Sequence, residues 1–241
     1  MANSTFNLSA LNGSNGFSIN SINAGDYLVV SNALDINGDG IDDLILGASR
    51  AGLNGDRSGQ SYVVFGNKSG FSSSLNLSSL NGSNGFIING ITTGDFSGNS
   101  VSNAGDINGD GIDDLIIGAQ NANPNGTESG QSYVVFGNKS FSSSFNLSSL
   151  NGSNGFIING IATADFSGNS VSSAGDINGD GIDDLIIGAP GADPNGDYSG
   201  QSYVVFGNKN GFSSSLNLSS LNGSNGFIIN GIATGDESGY S

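Results

Sequence analysis

The chain contains no cysteine and no histidine. Their absence excludes disulfides, thiolate or imidazole zinc sites, and any catalysis that depends on Cys or His. A chain without cysteine is at ease in reducing and oxidising surroundings alike, so the redox compartment stays open. Tryptophan is also absent, and 5 basic residues stand against 21 acidic ones, for a formal charge of −16. That imbalance makes nucleic acid and anionic membrane surfaces poor partners. No apolar run approaches the length needed for a membrane span. The opening residues, Met1 to Phe6, have neither the basic nor the apolar region of a secretory signal. The chain reads as soluble.

What is abundant is glycine, with 41 residues, while Ser and Asn crowd the segments between apolar runs. Such bias alone suggests disorder. However, 35% of the residues are hydrophobic, and they fall in short blocks of Val, Ile, Leu and Phe. Short blocks separated by turn residues specify many short strands. The acids are clustered too: four lie in each of three repeated loops, so 12 of the 21 sit there. A merely solubilising acidic surface needs no such clustering.

Self-comparison shows the organisation. Leu-Asn-Gly-Ser-Asn-Gly-Phe occurs at 11–17, 80–86, 150–156 and 221–227. Asp-Ile-Asn-Gly-Asp-Gly-Ile-Asp-Asp occurs at 35–43, 106–114 and 176–184, and Gly-Gln-Ser-Tyr-Val-Val-Phe-Gly-Asn-Lys at 59–68, 130–139 and 200–209. Successive copies lie 69 to 71 residues apart. That period accommodates a four-stranded sheet with its loops.

In the second copy the strand candidates are Gly98–Ala104, Asp114–Ala119, Ser132–Phe136 and Gly155–Asn159, with Phe145–Leu150 as a short turn or irregular strand. The second and third carry apolar side chains on both faces. In Ser-Tyr-Val-Val-Phe, Val134 and Phe136 point one way, Tyr133 and Val135 the other. A sheet with one wet face alternates apolar and polar residues, so these sheets are covered on both sides, most simply by neighbouring copies. The expected fold is all-β: β-propeller blades of four antiparallel strands, about three full blades plus stray terminal strands. The segments are 1–24 (last strand of a preceding blade), 25–94, 95–164 and 165–235 (three blades), and 236–241 (start of a further blade). Three blades do not close a ring, because propellers typically use four to eight. The array is therefore an incomplete ring or open arc, a piece of a longer array, or one member of a homo-oligomer that completes a propeller.

The acidic loops are the candidate metal sites. In the first, Asp35, Asn37, Asp39 and Asp43 occupy positions 1, 3, 5 and 9, with Gly40 at the turn. Calcium takes six to eight hard oxygens, and odd spacing in a tightly curved loop aims side-chain oxygens at one centre. The carbonyl of Ile41 at position 7 adds another. The corresponding sets are Asp106, Asn108, Asp110, Ile112 and Asp114, then Asp176, Asn178, Asp180, Ile182 and Asp184. One Ca2+ per loop is expected, three in all. Position 8 (Asp42, Asp113 and Asp183) is expected to point outward without coordinating. Asn-Gly-Asp-Gly as plain hairpin chemistry is the competing reading, but turns do not need three flanking carboxylates. Magnesium demands tighter octahedral geometry, and an EF-hand carries Glu at position 12, where Leu46, Ile117 and Ile187 stand here.

The stretch Asp-Ile-Asn-Gly-Asp-Gly-Ile-Asp-Asp-Leu-Ile-Ile-Gly-Ala-Pro at 176–190 resembles the FG-GAP repeat of integrin α-subunit propellers and their bacterial relatives. The resemblance extends over nearly the whole chain. It implies a loop that joins the first and second strands of a blade and holds calcium. Gly188-Ala189-Pro190 matches the family's Gly-Ala-Pro element. The other copies read Gly47-Ala48-Ser49 and Gly118-Ala119-Gln120, and a Ser interrupts the Phe-Gly element in Phe96-Ser97-Gly98 and Phe166-Ser167-Gly168. Integrin-like propellers have seven blades, and this chain departs from that number.

The expected role is a calcium-stabilised, non-enzymatic module for adhesion or assembly, secreted or at the cell surface, with a protein or cell-surface ligand as partner. Loops with three carboxylates have dissociation constants on the order of 10⁻⁵–10⁻⁴ M. At millimolar calcium each loop then gains about 1.5–3 kcal/mol by linkage, whereas at cytosolic calcium it is nearly empty. The alternative is a carbohydrate-binding, lectin-like propeller. Asp95, Asp165 and Asp236, outside the loops, recur at equivalent positions as turn formers. The loops at 49–58, 120–129 and 190–199 differ most among copies and are the candidates for a recognition surface.

Overall fold

The computed structural model describes residues 5–241; residues 1–4 of the segment assigned to a preceding blade lie outside the described residues. The first blade contains β2 (Leu28–Leu34), β3 (Asp43–Ala48), β4 (Gln60–Val64) and β6 (Gly85–Asn89), paired antiparallel in that order. The second contains β7 (Val101–Gly105), β8 (Asp114–Ala119), β9 (Gln131–Val135) and β11 (Gly155–Asn159). The third contains β12 (Ser170–Gly175), β13 (Asp184–Ala189), β14 (Gln201–Val205) and β16 (Gly226–Asn230). The first strands β2, β7 and β12 lie next to one another, so the sheets fan out from a common line. The architecture is all-β and propeller-like, and among the described residues no sheet closes on itself.

Three short strands tie the blades together. β5 (Ser74–Asn76), β10 (Ser144–Asn146) and β15 (Ser215–Asn217) each precede the fourth strand of their own repeat. Each pairs in parallel with the fourth strand of the repeat before: β10 with β6, β15 with β11, and β5 with β1 (Ser18–Asn20). The Asn residues lock this register: Asn89 Nδ2 donates to Asn146 Oδ1 at 3.0 Å, and Asn159 Nδ2 to Asn217 Oδ1 at 3.0 Å. A single 3₁₀ turn follows each strap and buries Leu77, Leu147 and Leu218 completely.

The blades bury each other's faces, as apolar alternation on both sides requires. Ile45, Val63, Phe86 and Ile88 of the first blade share a core with Leu115, Ile117, Tyr133 and Leu147 of the second. Ile116, Val134 and Phe156 of the second pack likewise against Leu185, Ile187, Tyr203 and Leu218 of the third. Phe86 and Phe141 stack across the first interface with ring centroids 4.1 Å apart, and Phe156 and Phe212 repeat that contact across the second. The end faces expose Val29 and Val30 on β2, and Phe227, Ile228 and Ile229 on β16.

One boundary differs from the sequence expectation. The first strand of the second blade begins at Val101, because Gly98 is spent on a hydrogen bond to the Gly118 carbonyl and Ser97 on an isolated bridge to Gly59. In 236–241 the same bridge recurs, between Ser238 and Gly200, as it does ahead of the first strands of the second and third blades. Among the described residues no helix is long and apolar enough to cross a membrane.

Candidate metal centre

Each acidic loop joins the first and second strands of a blade, and a bulge sets its direction. Strand register shifts between Asn32 and Leu34, between Asn103 and Gly105, and between Ser173 and Gly175. The second residue of each pair has positive φ: 52° at Leu34 and 64° at Gly105 and Gly175. An extra residue in left-handed conformation kinks the strand and turns Asp35, Asp106 and Asp176 into the loop.

Inside the loop the side-chain oxygens gather the backbone amides. Asp35 accepts from the N–H groups of Asp39 (2.9 Å) and Gly40 (2.7 Å), Asn37 from Asp39 (2.9 Å), and Asp39 from Ile41 (2.9 Å). The second loop repeats these bonds with Asp106, Asn108 and Asp110, and the third with Asp176, Asn178 and Asp180. Ile41, Ile112 and Ile182 occupy position 7 of the same curve. Positions 1, 3 and 5 of each loop thus wrap one turn of backbone.

Position 9 is the buried end. Asp43, Asp114 and Asp184 are at most 1% exposed and open β3, β8 and β13. Each accepts the N–H of the Gly in the Phe-Gly-Asn-Lys motif: Gly66 at 2.7 Å, Gly137 at 2.8 Å and Gly207 at 2.9 Å. That Gly cannot be replaced cheaply, since a Cβ on Gly137 would lie 2.3 Å from the Asp113 carbonyl oxygen. Asp114 and Asp184 also accept from Ile107 and Ile177 within their loops. The Oδ2 of Asp43 is buried with no partner.

Electrostatics make position 9 the most strained part of the loop. Burial pushes the Asp43 carboxyl up to about 7; the Gly66 amide works against this, and the charges of Asp39 and Asp35 add to it. Burial pushes Asp114 up to about 8, with Asp110 and Asp106 adding to the rise against the Gly137 amide. Asp184 is raised too, by burial first and then, against its amide donors, by Asp180. No basic side chain among the described residues forms an ion pair with a loop carboxylate. Among the described residues the one ion pair is Arg57–Asp56 at 3.8 Å, away from the loops. Among the described residues no three acidic side chains stand as a ready-made metal cluster, because the carboxylates are turned onto amides. A buried, unpartnered carboxylate oxygen among mutually repelling acids still fits an added cation, and the all-oxygen donor set fits a hard one.

Position 8 overturns the sequence expectation of an outward spectator. Asp113 accepts the N–H of Asp35, in the loop of the preceding blade, at 3.0 Å. Asp183 accepts the N–H of Asp106 at 2.9 Å in the same way. Both are half-buried; only Asp42, with no such partner among the described residues, is exposed as expected. A second bond runs alongside: Asn138 N–H donates to the Ile36 carbonyl at 3.0 Å, and Asn208 N–H to Ile107 at 2.9 Å. Each of the first two loops is therefore held by the blade that follows it. The repeat of Asp at position 8 in every copy was the available signal, but its partner lies 78 or 77 residues away in another copy.

The recurring acids outside the loops form turns. Asp165 and Asp236 accept the N–H three residues back, from Ala162 and Ala233, each at 2.9 Å, as Asp26 does from Asn23 at 2.9 Å. Asp95 closes its turn by donating its own N–H to the Thr92 carbonyl at 3.2 Å.

Sheets of four antiparallel strands, strapped edge to edge and carrying an acidic loop after each first strand, define an open β-propeller repeat array. A family model described as FG-GAP repeat matches residues 29–64, 97–135 and 167–205. Each match runs from the first strand of a blade, through its acidic loop, to the third. The chain carries three FG-GAP repeats and is an integrin-like β-propeller module. It is also similar to the phosphatidylinositol-glycan-specific phospholipase D of Dictyostelium discoideum, 31% identical over 193 residues. That alignment takes in 73% of this chain and 19% of the relative, so the chain corresponds to a small part of that protein's length.

Proposed function

We propose that the three loops are structural calcium sites, one ion each, in a non-catalytic module for adhesion or assembly outside the cell. The observation that carries this reading is Asp43: its Oδ2 is buried and unpartnered, and Asp39 and Asp35 crowd it with like charge. A divalent cation among Asp35, Asn37, Asp39, the Ile41 carbonyl and Asp43 relieves both burdens. In the other two loops Asp114 and Asp184 have their amide partners, and a cation among Asp106, Asn108, Asp110, Ile112 and Asp114, or among Asp176, Asn178, Asp180, Ile182 and Asp184, relieves the like-charge crowding alone. Calcium is favoured over magnesium because the donors number more than a carboxylate or two, and calcium accepts six to eight oxygens where magnesium demands a near-ideal octahedron. When bound, the ion supplies positive charge and cross-links the start of one strand to the next.

The extracellular setting follows from affinity: loops of this charge fill at millimolar and empty at submicromolar calcium. The apolar end faces at Val29 and Val30, and at Phe227, Ile228 and Ile229, support association with a second copy of the chain. The carbohydrate-binding alternative has less support: Tyr62, Tyr133 and Tyr203 are wholly buried, and of the exposed tyrosines Tyr27, Tyr198 and Tyr240 only Tyr198 stands in one of the variable loops. The lipase activity named for the relative is not carried over, given the small share of that protein involved. Calorimetric titration with CaCl2 tests the reading: about three ions per chain support it, and no heat above buffer contradicts it. Light scattering with calcium and with EDTA reads the association.

A further inference from the structure

We infer that Asp113 and Asp183 are positioning residues that couple the calcium sites of adjacent blades into a relay, loop 3 to loop 2 to loop 1. The inference rests on the calcium reading of the loops.

The relay has two joints built on the same pair of hydrogen bonds. Asp183 stands between two ligand positions of loop 3, the Ile182 carbonyl and the Asp184 carboxylate, so an ion held there restrains the backbone on both sides of it. Its own carboxylate takes the N–H of Asp106, the first ligand position of loop 2, at 2.9 Å. Ordering loop 3 therefore orders the start of loop 2. Asp113 stands equivalently between Ile112 and Asp114, and takes the N–H of Asp35 at 3.0 Å. The Asn208–Ile107 and Asn138–Ile36 bonds lie one residue further along each receiving loop, which makes each joint a two-point clamp rather than a single contact.

At the loop 2 joint a glycine makes room, whereas at the loop 1 joint Leu34 holds the equivalent position. A Cβ on Gly105 would fall 2.2 Å from Asp183 Oδ2 and 2.6 Å from its Cβ, whereas a Cβ on the equivalent Gly175 would meet nothing within 4 Å. Both glycines have φ of 64°. The difference between them is therefore the presence of a following blade's position-8 carboxylate.

Coupling between sites is reciprocal: calcium in loop 2 must strengthen loop 3 by the same factor as the reverse. A ¹⁵N-labelled full chain titrated with CaCl2, with the Gly111 and Gly181 amides followed by NMR, gives separate affinities for loops 2 and 3. Asp180→Ala, at an exposed position, silences loop 3. The expected result is a fall in loop 2 affinity of about five-fold or more. In Asp183→Ala loop 2 is already weakened, and adding Asp180→Ala changes it no further. Asp183→Asn, which keeps an acceptor oxygen, recovers part of the loss. The Asp106 amide resonance shifts upfield in Asp183→Ala before calcium is added; a purely space-filling role leaves it in place. An unchanged loop 2 affinity in Asp180→Ala, with loops 1 and 2 still binding, overturns the relay and leaves the sites standing. No calcium at any loop overturns both. Should Asp183→Ala fail to fold, the Asp180→Ala titration decides the matter alone.

Discussion

The Asp113 carboxylate accepts the backbone N–H of Asp35 at 3.0 Å, although the two residues belong to different acidic loops on different blades. The bond makes loop geometry a property of the array rather than of a single repeat. It also accounts for the cost that Asp113 bears. Burial raises its pKa; the Asp35 amide opposes that rise, and the charges of Asp35, Asp106 and Asp183 add to it. The carboxylate placed among three others holds a neighbour's amide in return.

Asp113→Ala removes a charge-assisted hydrogen bond and leaves the Asp35 amide without its partner. The expected loss is about 1–2 kcal/mol in urea unfolding, reduced from the full value of such a bond by the repulsion that disappears with it. Asp42→Ala, at an exposed position with no cross-blade partner, should stay within about 0.5 kcal/mol of the parent.

Gly105→Ala and Gly175→Ala impose the same left-handed backbone on alanine, worth about 1–2 kcal/mol each. Only Gly105→Ala also drives a Cβ into Asp183. Its melting temperature should fall several degrees below that of Gly175→Ala, read by thermal scans in EDTA.

Gly137→Ala should be among the most damaging single changes. A Cβ there meets the Asp113 carbonyl oxygen at 2.3 Å and the Ile112 side chain at 2.4 Å, in the segment that caps Asp114. The outcome expected is loss of the loop 2 calcium site together with a cooperative loss of stability, read by calorimetry and circular dichroism. A small uniform weakening of all three loops is not expected.

Acidity should act in opposite directions on the calcium-free and calcium-bound chains. Asp43 and Asp114 titrate at about 7 and about 8 in the folded chain against 3.8 unfolded, so between about pH 4 and 8 the folded state binds more protons. By linkage, stability of the calcium-free protein is gained as pH falls through the folded values and lost as pH rises through them. Protons and calcium compete for the same oxygens, so calcium affinity should weaken as pH drops from 8 to 6. Melting curves with EDTA and with CaCl2 at pH 6 and pH 8 separate the two trends.

Most of the blade was readable from the repeat. The strands Asp114–Ala119 and Gly155–Asn159 fall where period and β-branched runs put them, and apolar residues on both faces implied covered sheets. What the repeat did not disclose is pairing between copies. Phe145–Leu150 reads as a short turn or irregular strand because the strand that it overlaps, Ser144–Asn146, finds its hydrogen-bond partner, β6, in the blade before. The bulge before each loop is obscured in the first copy, where Leu34 stands in the left-handed conformation that Gly105 and Gly175 adopt elsewhere. Position 8 was misread for the same reason as the straps: a residue beside a ligand appears idle until the neighbouring blade is in place.

The central claim is that the loops are calcium sites holding the blades together, and melting with and without the ion tests it most directly. At pH 8, 1 mM CaCl2 should raise the melting temperature well above that in EDTA, with each filled loop adding about 1.5–3 kcal/mol. Asp39→Ala, Asp110→Ala and Asp180→Ala combined should abolish the difference. Identical melting curves of the parent chain in CaCl2 and in EDTA would contradict the account.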